Sequence, residues 1–248
     1  MSFFTIIRFL FLVGALRGSS ASTLNKRIVN GATGAAGQFP FVASLRYANT
    51  HFCSGSIVNA RWVLTTATCV RGRTSFVIVV GSYRSNTGGV TYTVSTVKQH
   101  QWFVFSNQAY DVAVIQTAVP IIFSSTVQAV VLSSIAFPVG TVVSETGWGR
   151  IKLSLPSLTG SLVALNTTII SDNECRTRIL PLSYTLQSTH FCTYKELSGA
   201  CLFDDGGPVT IGNLQVGIID VYGCDFNYPD VHTGIAYVYS WILTNTPV

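Results

Sequence analysis

From Phe41 onward the chain is a series of short runs rich in β-branched and aromatic residues, separated by Gly, Asn, Ser and Pro turns. The runs read FVASL, TSFVIVVG, VTYTVSTV, YDVAVIQ, GTVVSETGWG, LVALNTTII and LQVGIIDVY. Many short strands with frequent turns are typical of an all-β barrel or sandwich. Helices are predicted only at 171–180 and 237–245, and 119–140 is predicted to connect two halves of the fold.

The composition indicates a compact folded protein of one or two domains. Charged residues make up 10% of the 248 residues and hydrophobic residues 48%, which excludes a disordered chain or one that wraps nucleic acid. The formal charge of +5 is misleading, because four of the fifteen basic residues lie before Ile28, where there is no acidic residue. From Ile28 onward, eleven basic residues face ten acidic ones. Net charge therefore gives little support for a polyanionic partner.

The first 27 residues predict export. Residues 3–16 form an apolar run interrupted by Arg8, and small residues follow it, so 1–21 are predicted to be a signal peptide. An uncleaved membrane anchor is the alternative, but the run is short for a membrane span and carries an internal arginine. Residues 22–27 are predicted to be a short propeptide. The mature chain is expected to be secreted and extracellular.

An exported chain with six cysteines is expected to form disulfides. Counting alone leaves their pairing open. Asn166 begins the sequon Asn-Thr-Thr and is a candidate glycosylation site.

Three motifs carry the candidate chemistry: WVLTTATC at 62–69, DVAVI at 111–115 and CLFDDGGP at 201–208. They resemble WVLTAAHC, DIALL and CxGDSGGP, in the same order, of the chymotrypsin/trypsin-like serine protease family (S1 type). IVNG at 28–31 and GWG at 147–149 extend the resemblance over about 28–245. It implies an all-β fold of two six-stranded antiparallel β-barrels with a C-terminal helix, in one domain at 28–248.

The resemblance also implies that the catalytic positions are altered. Thr68 stands where the family has its general-base histidine, and Asp205 stands where it has its serine nucleophile, while the orienting aspartate is kept as Asp111. Neither Thr68 nor Asp205 supplies the chemistry of the residue that it replaces. Phe203 fills a glycine position of the nucleophile loop, and its N–H is expected to point away from the oxyanion site.

We therefore predict that the chain is not an enzyme but a pseudo-protease. The remaining histidines are expected to play no part as a base; they are His100, His190 and His232.

Activation and disulfide pairing are implied by the same resemblance. Cleavage after Arg27 would free the α-amino group of Ile28, which would pair with Asp204. His51 either holds Asp204 before cleavage or is a surface or core histidine whose contacts are satisfied. The implied disulfides are Cys53–Cys69, Cys175–Cys192 and Cys201–Cys224.

The specificity pocket is expected to contain Gly199 at its base and Asp230 on its wall. Tyr222 would fill a space that a glycine keeps open in the family. If Asp220 replaces a serine that bonds the orienting aspartate, three carboxylates gather in the cleft. We expect Asp111, Asp205 and Asp220 to share a proton or to take up a cation or an amine, or else to form a solvated hollow of no consequence. No resident metal or cofactor is predicted.

The predicted function is that of a secreted, non-catalytic serine protease homologue, from an arthropod, which acts by binding proteins as a cofactor, decoy or effector. The expected partner is a protease, an inhibitor or an immune or host factor, the chain is expected to be a monomer, and neither nucleic acid nor a membrane is expected as a partner. One alternative is an active secreted endopeptidase or hydrolase with an atypical carboxylate site. Another is a storage or structural protein.

Overall fold

The computed structural model describes residues 31–150, 158, 160–221, 223–224 and 227–248. The predicted signal peptide, propeptide and cleavage site at Arg27 and Ile28 lie outside these residues, as does Tyr222.

Six antiparallel strands close the first barrel in the order β2-β3-β4-β7-β6-β5. They are β2 (Val42–Tyr47), β3 (Thr50–Asn59), β4 (Trp62–Thr65), β5 (Val77–Val80), β6 (Val90–Gln99) and β7 (Ala113–Thr117). The β2–β3 hairpin turns through Ala48 and Asn49, which both have positive φ angles, of 46° and 64°. Paired positive φ angles are what a two-residue hairpin turn requires for its twist to match that of the strands.

The second barrel also closes with six antiparallel strands, because β9 pairs with both β10 and β12. Its strands are β9 (Val142–Gly147), β10 (Val163–Ile170), β11 (His190–Tyr194), β12 (Pro208–Ile211), β13 (Leu214–Val221) and β14 (Asp230–Gly234). Two short strands add to it, β1 (Ala32–Thr33) beside β10 and β8 (Val131–Leu132) beside β13. The prediction of two six-stranded antiparallel barrels is confirmed.

Helices are short except at the C-terminus. The first helix, α1, covers Ala67–Val70; α2 covers Asp172–Ile179, and α3 covers Ile235–Asn245. Ser171 caps α2 by accepting a hydrogen bond from the N–H of Glu174, which satisfies one of the free donors of the first turn. The two predicted helices are thus present, and α1 is the one that the sequence pattern did not reveal.

Apolar contacts join α3 to both barrels. Its buried residues Ile235, Val238 and Ile242 recur at helical spacing and belong to one cluster with Leu64 of the first barrel and Ile218 of the second. The same cluster contains Val112, the residue after Asp111. The helix therefore helps to fix the junction at which the candidate site lies.

The six cysteines form three disulfides: Cys53–Cys69, Cys175–Cys192 and Cys201–Cys224. These are the pairs that the family resemblance implies. Within the described ranges, no helix is long and apolar enough to cross a membrane.

Candidate active site

Thr68 lies on α1, directly after β4 of the first barrel. Thr66 caps this helix with its side chain, which accepts from the N–H of Cys69. The backbone N–H of Thr68 donates to Asp111 Oδ1 at 2.8 Å and its hydroxyl donates to Asp111 Oδ2 at 2.5 Å. Thr68 therefore engages both oxygens of the aspartate.

Asp111 precedes β7 and is fully buried. Burial raises the pKa of its carboxyl well above the usual range, and the nearby charge of Asp220 raises it further, while the two bonds from Thr68 act in the opposite direction.

Asp220, on β13 of the second barrel, is the neighbour that completes a carboxyl pair. Burial raises the pKa of Asp220 well above its usual range, while the neighbouring Asp111 and the hydroxyl of Thr233 act in the opposite direction. Asp220 Oδ2 accepts from the Thr233 hydroxyl at 3.3 Å, and Asp220 Oδ1 has no hydrogen-bond partner among the described residues. The two acids lie close enough to influence each other's pKa, as expected if Asp220 takes the place of a residue beside Asp111.

His190 lies next to Asp220, one member of this pair. Its Nε2 lies 3.4 Å from Asp220 Oδ2 and 3.0 Å from the carbonyl oxygen of Gln108. Because Nδ1 accepts from the N–H of Gln187, the neutral ring carries its proton on Nε2. Burial lowers the pKa of His190. His190 was expected to play no part as a base, and the structure places it next to Asp220.

Asp205 is the most accessible of the three carboxyls and is half-buried. Its Oδ2 accepts from the N–H of Phe203 at 3.2 Å, and its carbonyl oxygen accepts from the N–H of Ser54 in the first barrel. Burial raises the pKa of Asp205 to about 7, with a further upward contribution from the charge of Asp111. A carboxyl of this kind exchanges protons near neutral pH.

The loop that carries Asp205 holds an unusual backbone angle. Phe203 has φ of 79°, a conformation that glycine adopts readily and residues with a Cβ atom rarely do. Its N–H is bonded to the Asp205 carboxylate, in agreement with the expectation that this donor does not serve a substrate oxyanion. The adjacent Gly206 has φ of 78°, and a Cβ atom there would collide with the Thr65 hydroxyl.

Asp204 is fully buried between strands of the second barrel. It accepts from the N–H groups of Gly149, at 2.7 Å, and Cys201, at 2.9 Å. A Cβ atom at Gly147 or Gly149 would overlap its carboxylate, so the GWG motif is a packing requirement of this acid. Burial raises its pKa to about 7.

His51 does not bond to Asp204; it is a buried histidine with both ring nitrogens satisfied, which was the alternative to that role. Its Nε2 bonds to the carbonyl oxygen of Phe203 at 3.0 Å, and its Nδ1 bonds to the Ser44 hydroxyl at 2.8 Å. The histidine reaches the backbone one residue short of Asp204, because the Asp204 side chain turns inward to Gly149 and Cys201.

The candidate pocket residues Gly199 and Asp230 are in contact. A Cβ atom at position 199 would lie 2.7 Å from Asp230 Oδ2, so the absence of a side chain makes room for the aspartate. Both Asp230 oxygens accept backbone N–H groups, from Ala200 at 2.9 Å and Gly223 at 2.6 Å. Both oxygens of Asp230 are therefore occupied by backbone donors.

Sequence reasoning missed a buried polar group in the second barrel. Glu145 Oε1 accepts from the Thr193 hydroxyl at 2.6 Å and lies 3.2 Å from His232 Nε2. These side chains are fully buried, and the charge of Glu145 contributes to the raised pKa of Asp230, after burial. No spacing in the sequence reveals the group, because its members come from three different strands.

Two further candidates can be placed. Asn166 lies on β10 with its side chain exposed. In the part of the chain that the structure describes, no group of three or more His, Cys, Asp or Glu side chains has the arrangement of a metal site.

A family model described as Trypsin matches residues 28–242. The chain belongs to the trypsin family. Trypsin delta of Drosophila melanogaster is 30% identical over 252 residues, which cover 97% of this chain and all of that protein. Trypsin alpha of the same species is 31% identical, and trypsin alpha-4 of Lucilia cuprina 30%, each over 89% of this chain and 88% of the relative. These fly proteins fit the predicted arthropod origin.

The fold of this trypsin-family chain is also that of a solved structure. Neuropsin, a serine protease expressed in the limbic system of mouse brain, superposes with a TM-score of 0.80 over 87% of this chain and 98% of its own, at 22% identity. This likeness supports the fold alone.

The comparisons correct one prediction. The expectation that the chain is not an enzyme is wrong. Relatives that align with nearly the whole chain are named as trypsins, which points to a protease. Thr68, Asp111 and Asp205 occupy the three motif positions, so the catalytic chemistry has to come from the groups that are present.

Proposed function

We propose that this trypsin-family protein is a secreted hydrolase of peptide bonds that works with a carboxylate site. The family assignment and the relatives named as trypsins support the reaction class. The observation that carries the proposal is the position of Asp205, a half-buried carboxyl with a pKa raised to about 7 in the loop that matches the family's nucleophile motif.

In this proposal Asp205 acts on water. Its ionised carboxylate accepts a proton as the water oxygen attacks the carbonyl carbon of the scissile bond. The same proton is then passed to the leaving amine as the carbon–nitrogen bond breaks, which returns Asp205 to its starting form. Acid–base catalysis of this kind contributes about 10²- to 10⁴-fold to a rate.

The buried carboxyl pair of Asp111 and Asp220 tunes this group. Its negative charge disfavours the ionised form of Asp205 and so helps to keep the pKa of Asp205 near the working pH. The two bonds from Thr68 hold the Asp111 side of the pair. We assign Thr68, Asp111 and Asp220 the role of positioning residues.

The pocket favours substrates with neutral side chains. Both Asp230 oxygens are bonded to backbone N–H groups, and a cationic side chain would have to displace one of them. The neighbouring Gly199 adds no polar group.

We also propose activation by cleavage after Arg27. Asp204 is buried with a pKa raised to about 7 and only partial compensation from two N–H donors. A cationic α-amino group from Ile28 would offset the cost of its burial.

The test is hydrolysis of peptide and ester substrates by the Arg27-cleaved protein, measured across pH. We expect kcat/KM to rise through pH 7 as Asp205 ionises, and Asp205→Asn to lower it by about a hundredfold or more. The matched control is Asp172→Asn, which alters an exposed acid on α2 and should leave turnover unchanged. The absence of turnover above blank, from pure cleaved protein, would contradict the proposal.

A second candidate is recognition of a protein partner at the cleft. The observation that favours it is the occupation of the base and nucleophile positions by Thr68 and Asp205. The exposed rings of Trp102 and Phe105, at 61% and 53% exposure, supply the aromatic surface that protein interfaces favour. Affinity capture from the native secretion, repeated with Trp102→Ala, tests it, and the expected partner is a protease, an inhibitor or an immune or host factor bound to a monomer.

A further inference from the structure

The surface charge of this protein differs greatly from its net charge. Between Ile28 and Tyr110 the sequence has six basic residues and no acidic one. Five of the six are partly or fully exposed; they are Arg61, Arg71, Arg73, Arg84 and Lys98. The first barrel therefore presents positive charge alone.

The acidic residues that balance the sequence count do not balance this surface. Five of the carboxylates are buried inside the fold; they are Asp111, Glu145, Asp204, Asp220 and Asp230. Among the described residues, the exposed or partly exposed acids apart from Asp205 are Asp172, Glu174 and Glu196, all from the second half of the chain. The near-neutral count from Ile28 onward therefore conceals a first barrel whose exposed charges, among these residues, are all positive.

A groove runs along the first barrel between the start of β5 and the middle of β6. It has a volume of about 440 Å³. Six exposed polar side chains line it; they are Arg73, Thr74, Ser75, Thr93, Ser95 and Thr96. The register of β6 shifts between Val94 and Thr96, and such a bulge re-aims the side chains beside it. The lining offers hydroxyl groups and a guanidinium group but no carboxylate.

Two arginines, one that lines the groove and one two residues before it in the chain, lie over aromatic rings. The guanidinium group of Arg73 lies 4.0 Å from the centre of the Phe52 ring and donates through Nε to the carbonyl oxygen of Cys69. Arg71, two residues earlier, lies 4.2 Å from the centre of the Phe105 ring. Among the described residues, no carboxylate lies within ion-pair distance of either one. Both cations are thus fixed in place and lack an acidic partner within the described fold.

We propose that this groove binds an anionic polysaccharide that carries sulfate or carboxylate groups. Arginine pairs with such groups through parallel N–H bonds, and the hydroxyl groups suit the polar surface of a sugar chain. An acidic polypeptide fits less well, because the barrel is closed and offers no free strand edge to which a peptide could add.

The experiment measures binding of a size-defined heparin oligosaccharide to the full secreted chain by calorimetry or fluorescence anisotropy. We expect saturable binding that weakens as salt rises, because the contacts are exposed ion pairs. The double substitution Arg71→Gln and Arg73→Gln should weaken binding by about tenfold, which corresponds to two exposed charge-assisted contacts. The matched control, Arg176→Gln with Arg178→Gln on α2, should change it by less than about twofold.

A second variant separates a direct loss of binding from a loss caused by misfolding. Thr93→Glu puts a negative charge into the groove at an exposed strand position and should weaken binding while the melting temperature stays unchanged. Equal binding by the unsulfated oligosaccharide, equal loss in the α2 control, or tighter binding of polyglutamate than of the sulfated sugar would overturn the proposal.

Discussion

The two barrels share one strand plan but differ in what fills them. The first barrel is filled by apolar side chains such as Leu45, Ile57 and Ile115. The second encloses Glu145, His232 and Asp230 close together. Apolar filling stabilises a barrel whatever the pH, whereas buried acids stabilise only when hydrogen bonds and protons compensate for their burial. The first barrel thus serves as a rigid support, whereas the stability of the second barrel depends on the hydrogen bonds and protons of the buried acids beside the expected pocket.

The largest expected effect comes from creating a cavity in each barrel, which allows the two interiors to be compared. Leu45→Ala should lower the free energy of unfolding by about 2–5 kcal/mol. Leu165→Ala should fall at the lower end of that range, because Leu165 faces Glu145 across β9 and β10, and water that enters the cavity can hydrate the unpaired Glu145 Oε2. Urea unfolding measures the free energy of unfolding of both variants. An equal loss in the two would mean that the polar interior does not reduce the cost of a cavity.

A smaller effect is expected from removing one hydroxyl. Thr193→Val removes the hydroxyl that contacts both Glu145 and His232 inside the barrel, so it should cost about 1–3 kcal/mol. Thr117→Val is the matched change in the first barrel, where the hydroxyl bonds to a backbone oxygen at 3.3 Å, and it should cost less than about 1 kcal/mol. If the two substitutions cost the same, the buried polar group contributes nothing specific.

The smallest effect is the pH dependence of the uncleaved chain. The pKa values of Asp204 and Asp205 are raised to about 7 in the folded protein, so between the unfolded value and pH 7 the folded state holds protons that the unfolded state has released. Stability is therefore highest at low pH for these groups and falls as pH rises through 7.

We expect these two carboxyls to contribute a loss of about 1–2 kcal/mol between about pH 6.5 and pH 8. The buried histidines act in the opposite direction, because burial lowers the pKa of His51 to about 4 and that of His190 below its usual value, and their part of the stability rises with pH through the unfolded value of about 6.5. Urea unfolding at the two pH values, compared between the unsubstituted protein and Asp204→Asn, isolates the carboxyl contribution. Stability should fall less with pH in Asp204→Asn, while Leu45→Ala should leave the pH dependence unchanged, and an Asp204→Asn variant with the pH dependence of the unsubstituted protein would refute the assignment.

Prediction from sequence succeeded where the signal was local or carried by a motif. The β-rich runs and turn residues indicated the fold class, and the helix predicted at 171–180 corresponds to α2. The α1 helix escaped prediction because four residues are too few to show a helical period. The role of His51 stayed open in the sequence because a motif position fixes the residue but not the direction of its side chain.

The amino-acid sequence by itself supplied the β-rich pattern, the resemblance that implies two β-barrels, the threonine and aspartate at two motif positions, and charges that nearly balance from Ile28 onward. Only the tertiary structure decided which carboxylates meet. Asp111 and Asp220 are more than a hundred residues apart in the printed sequence, and they become neighbours because the two barrels bring β13 beside the start of β7. The same folding buries five acids and leaves exposed four of the five arginines between Ile28 and Tyr110, Arg46 being the buried one. Burial is a property of strand register and barrel closure, so a count of charges along the chain could not supply it.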